Sequence, residues 1–285
     1  MIKNKKILIL GGYGFLGSWL YKILKKKNSV HRYGKLSRKQ IISSYSLKKI
    51  KKNFDIIIHS AGSSSVPESI LNPKKDYRKN IGSTEALIKF IKIKKIKPKI
   101  VFVSSSAVFG NKIREKLMQP ISPYGKNKLK SEQLLIKYAQ KNNLKLIIIR
   151  FFSLYGEGLK KQLLWDVLCK IKKNNFSFYG TGLEVRSWMH AADAVKVINN
   201  ALLFSKKNIQ IINAPGKAVM TNKEIINKIY KNCHIRTKPI FNKIKRKGDP
   251  KILAFNHKDL KKIKMKESIN LSLGLKNYIK WFQEK

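Results

Sequence analysis

Gly11-Gly12-Tyr13-Gly14-Phe15-Leu16-Gly17 follows the short apolar run Lys6–Leu10 and opens a segment with helical spacing at Leu16, Leu20, Ile23 and Leu24. A Gly-x-x-Gly-x-x-Gly pattern alone is a weak signal. Between an N-terminal strand and a helix it specifies a strand–turn–helix unit that binds a dinucleotide pyrophosphate. Gly11 and Gly14 allow a tight turn and close backbone approach, and Gly17 lets the helix pack on the strand. The first helical residues, Phe15 and Leu16, offer N–H groups at the positive end of the helix dipole.

Outward from this loop, strand-like and helix-like segments alternate. Ser29–Tyr33, Asp55–His59, Lys99–Ser104 and Leu144–Arg150 read as strands; Ser83–Lys94 and Tyr124–Gln140 read as helices. Near-continuous apolar strands separated by helices predict an α/β fold, a Rossmann-type doubly wound parallel sheet with right-handed crossovers. After Phe152 the pattern changes. Glycines cluster at 156, 158, 180 and 182, Asn213-Ala214-Pro215-Gly216 marks a turn, and Leu271–Phe282 reads as a closing amphipathic helix. Residues 1–155 are therefore expected to form the dinucleotide-binding domain. Residues 156–285 are expected to form a smaller C-terminal substrate-binding lobe, interleaved with late elements of the sheet.

The end of the second strand bears on which dinucleotide binds. An acid about 20 residues past the glycine loop selects NAD through the ribose 2′-hydroxyl, whereas arginine accommodates a 2′-phosphate. From Val30 to Arg38 there is no Asp or Glu; Arg32, Lys35, Ser37 and Arg38 stand there instead. The reading favours NADP over NAD, tempered by how common cations are in this chain.

Chemistry enters with Tyr124-Gly125-Lys126-Asn127-Lys128, which puts a phenol and an ammonium on one helix face. The ammonium and a cationic nicotinamide are together expected to favour the phenolate and lower the tyrosine pKa toward the working range. Lys128 is also placed to bond the nicotinamide ribose. Ser104-Ser105-Ser106, at the C-terminal end of a strand, offers the hydroxyl that orients a substrate oxygen at the edge where open α/β sheets bind ligands.

With these residues in order, the chain resembles the extended short-chain dehydrogenase/reductases, in the NAD-dependent epimerase/dehydratase family of nucleotide-sugar enzymes. The resemblance spans nearly the whole chain. It includes His59-Ser60-Ala61-Gly62, Asn80-Ile81-Gly82-Ser83-Thr84, Ser104–Gly110, Ser122–Lys128, Arg150–Gly156, Gly180-Thr181-Gly182 through Arg186 and Asp193, and Arg246-Lys247-Gly248-Asp249-Pro250. It implies Tyr124 as general acid/base, Lys128 as its partner and Ser105 at the family's serine/threonine position. It also implies Ala61 and Asn80 beside the cofactor. Ser106, Ser153, Arg186 and Arg246 fall at the substrate, the arginines on a nucleotide diphosphate, where a guanidinium suits phosphate. Departures narrow the reaction. Dehydratases of the family carry an acid just after the catalytic Thr or Ser; here Ser106 and Ala107 stand there, which disfavours elimination. Ser153 replaces a common asparagine, and Phe109 a common tyrosine.

Composition excludes more than it identifies. The 285 residues are 43% apolar and carry a formal charge of +48, from 63 basic and 15 acidic residues. Eight of the basic residues are Arg and 55 are Lys, spread along the whole chain. Nucleic-acid readers cluster their bases and favour Arg, so no specific nucleic-acid partner is expected. Cys169 and Cys233 fit no metal or redox spacing, and the five histidines show no metal spacing. His59 is expected to be structural, Asp249 a loop carboxylate, and Trp281 a packing residue of the closing helix. No run approaches the roughly 20 apolar residues that span a bilayer, and a cytoplasmic location follows by default. The resemblance adds a homodimer paired through the helices near Ser83 and Tyr124.

The leading expectation is hydride transfer at C4 of a nucleotide-linked hexose by an epimerase. The alternative is an NADPH-dependent reductase of a 4-keto-6-deoxy sugar, and a distant third is a non-catalytic dinucleotide-binding module.

Overall fold

The computed structural model describes residues 1–34, 42–43, 46–47, 50, 53–111 and 117–285. Five strands from the first half, β1 (Lys6–Leu10), β2 (Ser29–Tyr33), β3 (Ile56–His59), β4 (Lys99–Ser105) and β5 (Leu146–Phe151), lie in the order β2-β1-β3-β4-β5. The chain leaves this sheet through β6 (Ser153–Tyr155), β7 (Ser177–Phe178) and β8 (Val185–His190), then returns as β9 (Ile209–Ala214) on the far side of β5. All five pairings of the six-stranded sheet are parallel. The remaining strands β10 (Ala218–Thr221), β11 (Ile240–Phe241) and β12 (Ile252–Leu253) are short; β10 and β12 flank β8, which also pairs with β6, and β11 pairs with β7.

The parallel sheet is covered on both faces, and its strands are apolar on both sides for that reason. Side chains alternate between two cores. Ile7, Ile9, Ile58, Val101 and Ile149 face helices Phe15–Leu24 and Ala191–Phe204. Leu8, Leu10, Ile57, Phe102 and Ile148 face helices Ser83–Lys94 and Pro123–Lys141. A third core sits under β8 and joins Tyr155, Trp188, Ile225 and Ile229 to Tyr278 and Phe282 of the closing helix Leu271–Gln283. Trp281 stacks on Tyr278, at 5.6 Å between ring centroids.

Element bounds agree with the sequence reading to within two residues. The first helix ends at Leu24, where the apolar stripe ends. The fifth strand starts at Leu146 because Asn143 adopts a left-handed φ of 49° and the Leu144 N–H still bonds Ala139, closing the preceding helix.

A candidate nucleotide-sugar active site

The glycine loop is fixed by backbone contacts. Gly11 has φ +82°, and a Cβ there would lie 2.7 Å from the Ala61 backbone; a Cβ on Gly17 would lie 2.1 Å from the Gly11 carbonyl oxygen. Gly14 differs: a Cβ would meet only the Gly11 oxygen, at 3.3 Å. The protein's own packing does not require that position to be bare, but it faces the open side of the turn. Gly14 is also the N-cap of the first helix and has no side-chain cap, so the N–H groups of Phe15 and Leu16 remain available to an anion. The Leu16 side chain packs into the core, whereas Phe15 faces Gly158. These features fit a dinucleotide pyrophosphate, held by Gly11, Gly14 and the first turn.

The end of β2 is fastened to the same loop. The Tyr33 carbonyl accepts the Gly11 and Gly12 N–H groups, and Gly34, at φ +138°, packs on Gly11. The Arg32 guanidinium lies 4.4 Å from the Tyr13 ring centroid and 3.9 Å from that of Tyr21. Two aromatic faces therefore hold it at the loop's rim. Ser37 and Arg38 lie outside the described residues.

The catalytic candidates converge from two elements. Ser105 ends β4 and caps a short turn, accepting the Ala107 N–H at 3.2 Å. Ser122 caps the long helix by accepting the Gly125 N–H at 3.1 Å, and Pro123 fills the first helical position. Gly125 is required by close approach: a Cβ there would lie 2.4 Å from the Ala107 carbonyl oxygen. Its absence seats the helix on the serine turn and brings the Tyr124 phenol close enough to Ser105 for the hydroxyl to favour the phenolate. Tyr124 and Lys128 are both buried. The Lys128 ammonium donates to the Val103 carbonyl at 2.9 Å.

Without a dinucleotide, the chain's own groups hold the phenol above the working range. Burial pushes the Tyr124 phenol up to about 12; the Ser105 hydroxyl opposes this and the Asp76 carboxylate adds to it. Desolvation is the largest of these influences, and it is what a cationic nicotinamide would act against. Burial also lowers Lys128 itself to about 8, against the pull of Glu132 and Asp76. His59 is fully buried and held down to about 3 by burial and then by Lys128; its Nε2 lies 3.2 Å from Thr84 Oγ1. It is a structural residue, as expected.

Beneath these groups lies a polar foundation that sequence reasoning missed. Glu132 accepts from Ser104 Oγ at 2.5 Å and from Arg150 Nε at 3.0 Å and Nη2 at 2.7 Å. That cluster ties β4, β5 and the catalytic helix together. Asn127 Nδ2 donates to Asp76 at 2.7 Å, and Asn80 Nδ2 donates to the Asp76 carbonyl at 3.2 Å. Asn80 Oδ1 is buried without a partner, and a Cβ on Gly62 would meet it at 2.4 Å and Lys128 Nζ at 3.5 Å. An orphan acceptor and an ammonium beside the same bare glycine suit the hydroxyls of a ribose. With only 15 acids against 63 bases, the scarcity of carboxylates was the one signal in the sequence that could have singled out Asp76 and Glu132.

The far end of the crevice is built from side chains. Ser106 is buried behind Ser105, and Ser153 pairs with Trp188 across β6 and β8. Phe109 and Phe152 each stack on Phe255. Arg186 is buried rather than one more surface cation. Its Nη2 donates to Asp249 at 2.7 Å and its Nη1 to the Val185 carbonyl at 2.8 Å. Asp249 is thus a loop carboxylate with a definite partner. Arg246 is exposed, 4.8 Å from the Tyr179 ring centroid. Gly248, between the two, packs against Ser122, so this loop reaches the cap of the catalytic helix.

Comparison with known proteins agrees with this layout. The profile of the NAD dependent epimerase/dehydratase family matches residues 7–214. A putative UDP-glucose 4-epimerase of Methanocaldococcus jannaschii is 26% identical over 97% of this chain and 98% of its own. Among solved structures, UDP-N-acetylglucosamine 4-epimerase from Methanobrevibacter ruminantium, in complex with UDP-N-acetylmuramic acid, superposes with a TM-score of 0.88 at 24% identity, over 99% of both chains. UDP-glucuronic acid 4-epimerase from Bacillus cereus, in complex with UDP-glucuronic acid and NAD, gives 0.83 at 25% identity, over 98% of this chain and 99% of the other. The chain belongs to the NAD dependent epimerase/dehydratase family.

Proposed function

We propose that this protein is a UDP-sugar 4-epimerase. The observation that carries the reading is the buried Tyr124 phenol, beside Ser105 at the C-terminal end of β4 and one helical turn from Lys128, together with a glycine cradle shaped for a dinucleotide. The names of the similar proteins supply the UDP-sugar and the position of reaction.

A nicotinamide dinucleotide bound in the cradle supplies a reversible hydride acceptor. The chain's own residues supply the rest. Ser105 orients the sugar's C4 oxygen. Tyr124, as phenolate, takes the proton from the C4 hydroxyl and returns it to the C4 oxygen after the ketosugar has turned its other face. Lys128 keeps positive charge beside the phenolate and bonds the ribose with Asn80. Arg186 and Arg246 receive the diphosphate, and Ser106 and Ser153 line the sugar. Ser106 and Ala107 carry no carboxylate, which leaves an elimination without its acid. The helices at Ser83 and Tyr124 form the contact of a homodimer.

The end of β2 supports a second reading. Arg32 is held at the loop's rim, and the sequence has no carboxylate between Val30 and Phe54. A 2′-phosphate suits that end, which favours NADP and, with it, a 4-ketoreductase.

The decisive experiment incubates purified protein with UDP-glucose, UDP-N-acetylglucosamine and UDP-glucuronic acid, with NAD or NADP. Interconversion of C4 epimers without net cofactor consumption supports the epimerase. Stoichiometric consumption of NADPH by a 4-keto sugar supports the reductase. Tyr124→Phe is expected to lower turnover by about 10²–10⁴-fold with dinucleotide binding intact; normal turnover in that variant removes the acid/base role.

A further inference from the structure

Lys128 is a buried ammonium, and a buried cation needs a counter-charge. The described groups around it come from six elements. β4 contributes the Val103 carbonyl, which accepts from the ammonium at 2.9 Å, and the Phe102 ring, 4.8 Å away. Its own helix contributes Tyr124, Asn127 and Glu132, the last held by Arg150 of β5, and β3 contributes His59. The π-turn Arg78–Gly82 contributes Asn80, whose Oδ1 meets the same bare Gly62 as the ammonium, and the helix Pro73–Tyr77 contributes Asp76, whose carbonyl accepts from Asn80. His59 is neutral and Tyr124 is a phenol. Glu132 pulls Lys128 up more than Asp76 does, but it is shared: Arg150 engages it through two hydrogen bonds, so its charge is already matched. Asp76 is different. It is 3% exposed; its Oδ2 accepts only from the neutral Asn127 amide, and its Oδ1 is buried without a partner. Counting Lys128, Arg150, Glu132 and Asp76, the cluster is neutral only because Asp76 is there.

Asn127, which holds Asp76, lies one residue before Lys128 on the catalytic helix. The carboxylate is therefore fixed to the element that carries both catalytic groups.

We propose that Asp76 is a positioning residue that keeps Lys128 protonated beside Tyr124, as the one carboxylate of this cluster that no cation already neutralises. It acts through Lys128 and sets the upper edge of the pH range over which the site can work. The same negative charge disfavours the tyrosine phenolate, so Asp76 shifts both titrations upward together. The kinetic consequence rests on the epimerase reading. The charge coupling does not, which separates the two in experiment.

The test uses the full chain without substrate. Competitive trace acetylation across neutral and alkaline pH, read by peptide mass spectrometry, gives the protonation midpoint of Lys128. In Asp76→Asn and Asp76→Ser the midpoint is expected to fall by about one pH unit, the size of effect a close charge produces, and Asp76→Glu is expected to restore it. A midpoint that stays in place in either neutral variant, with its circular dichroism native, overturns the proposal. In turnover, both limbs of the pH profile are expected to move to lower pH in the neutral variants. A lowered plateau with unmoved limbs assigns Asp76 a purely structural role and also overturns it. Absence of any 4-epimerase activity in the wild-type protein, alongside a Lys128 midpoint that shifts in the Asp76 variants, would count against the proposed function and leave this inference standing.

Discussion

The two ends of the crevice are built by different physics. At the dinucleotide end the contacts are backbone on backbone: Gly11 on Ala61, Gly17 on the Gly11 carbonyl, and the Tyr33 carbonyl on two loop N–H groups. At the end proposed for the diphosphate they are side-chain pairs that a ligand could exchange: Arg186 with Asp249, and Arg246 over Tyr179. The first kind of site tolerates almost no substitution and offers a ligand fixed dipoles. The second kind offers charge that is already partly committed.

The largest expected effect tests the rigid end. A methyl group at Gly17 would have to lie 2.1 Å from the Gly11 oxygen and 2.8 Å from Gly12 Cα, both backbone atoms. Gly17→Ala must therefore push the first helix off β1, and neither side of the contact can yield by a rotamer change. Overpacking of this kind costs about 1–3 kcal/mol, and more where backbone is the obstacle. Thermal unfolding should show a clear drop, and NAD or NADP should no longer raise the melting temperature. A Gly17→Ala protein that melts as wild type and binds either dinucleotide would break the contrast at its first term.

Between the two ends lies the Glu132–Arg150 pair, which is neither backbone-fixed nor exchangeable. Both partners are almost fully buried, at 1% and 4% side-chain exposure. Arg150→Met leaves Glu132 charged and unpaired in the interior. Removing one partner of such a pair costs about 3–5 kcal/mol, whereas replacing both with apolar residues can be nearly neutral. Chemical denaturation should show the single variant strongly destabilised and Arg150→Met with Glu132→Leu partly recovered. A single variant of normal stability would mean the pair does not hold β5 to the catalytic helix.

How legible each part was follows from the same division. Glycine spacing, apolar strands and the Tyr-x-x-x-Lys turn are local patterns dictated by backbone geometry, so the cradle, the parallel sheet and Tyr124, Lys128 and Ser105 could be read from the chain. Contacts across long separations could not. Nothing local at Asp76 announces Asn127, and nothing at Arg186 announces Asp249, 63 residues away. Charge made this harder. With 55 lysines every motif has a cation nearby, so bases carry little information. Acids carry a great deal: Asp193 holds Ser268 and Ile269, Glu184 holds Thr181, Glu224 completes a capping box, and Glu157 meets His190. The tyrosine's ionisation was only half legible, because a sequence shows the neighbouring ammonium and hides the burial that pushes the phenol up.

A smaller effect comes from His59. Its folded-state pKa of about 3 lies below the ordinary 6.5, so the unfolded chain binds a proton that the folded chain refuses. The contribution is fully present above pH 6.5 and is lost as pH falls from there toward 3. Stability should be about 2 kcal/mol lower at pH 5 than at pH 7.5 from this group. His59→Gln should flatten that part of the profile. A wild-type urea midpoint that does not change between those pH values would show that the imidazole is not sequestered.

The smallest effect tests the exchangeable end. Asp249 is 38% exposed on its side-chain surface, so its ion pair with Arg186 is worth about 0–1 kcal/mol to the fold. Arg186→Lys keeps a positive charge for Asp249 but loses the planar fork that meets phosphate oxygens in two places. Melting should therefore change little. UDP affinity should weaken about tenfold, or ~1.4 kcal/mol, and titration calorimetry with UDP alone reads this without any turnover. The NAD or NADP affinity of the same variant should be unchanged, because the glycine cradle shares no side chain with Arg186. If Arg186→Lys instead lowers the melting temperature and leaves UDP binding intact, Arg186 is a structural brace of β8. The diphosphate would then be held elsewhere, with Arg246, stacked on Tyr179 and free of any carboxylate among the described residues, the next side chain to remove.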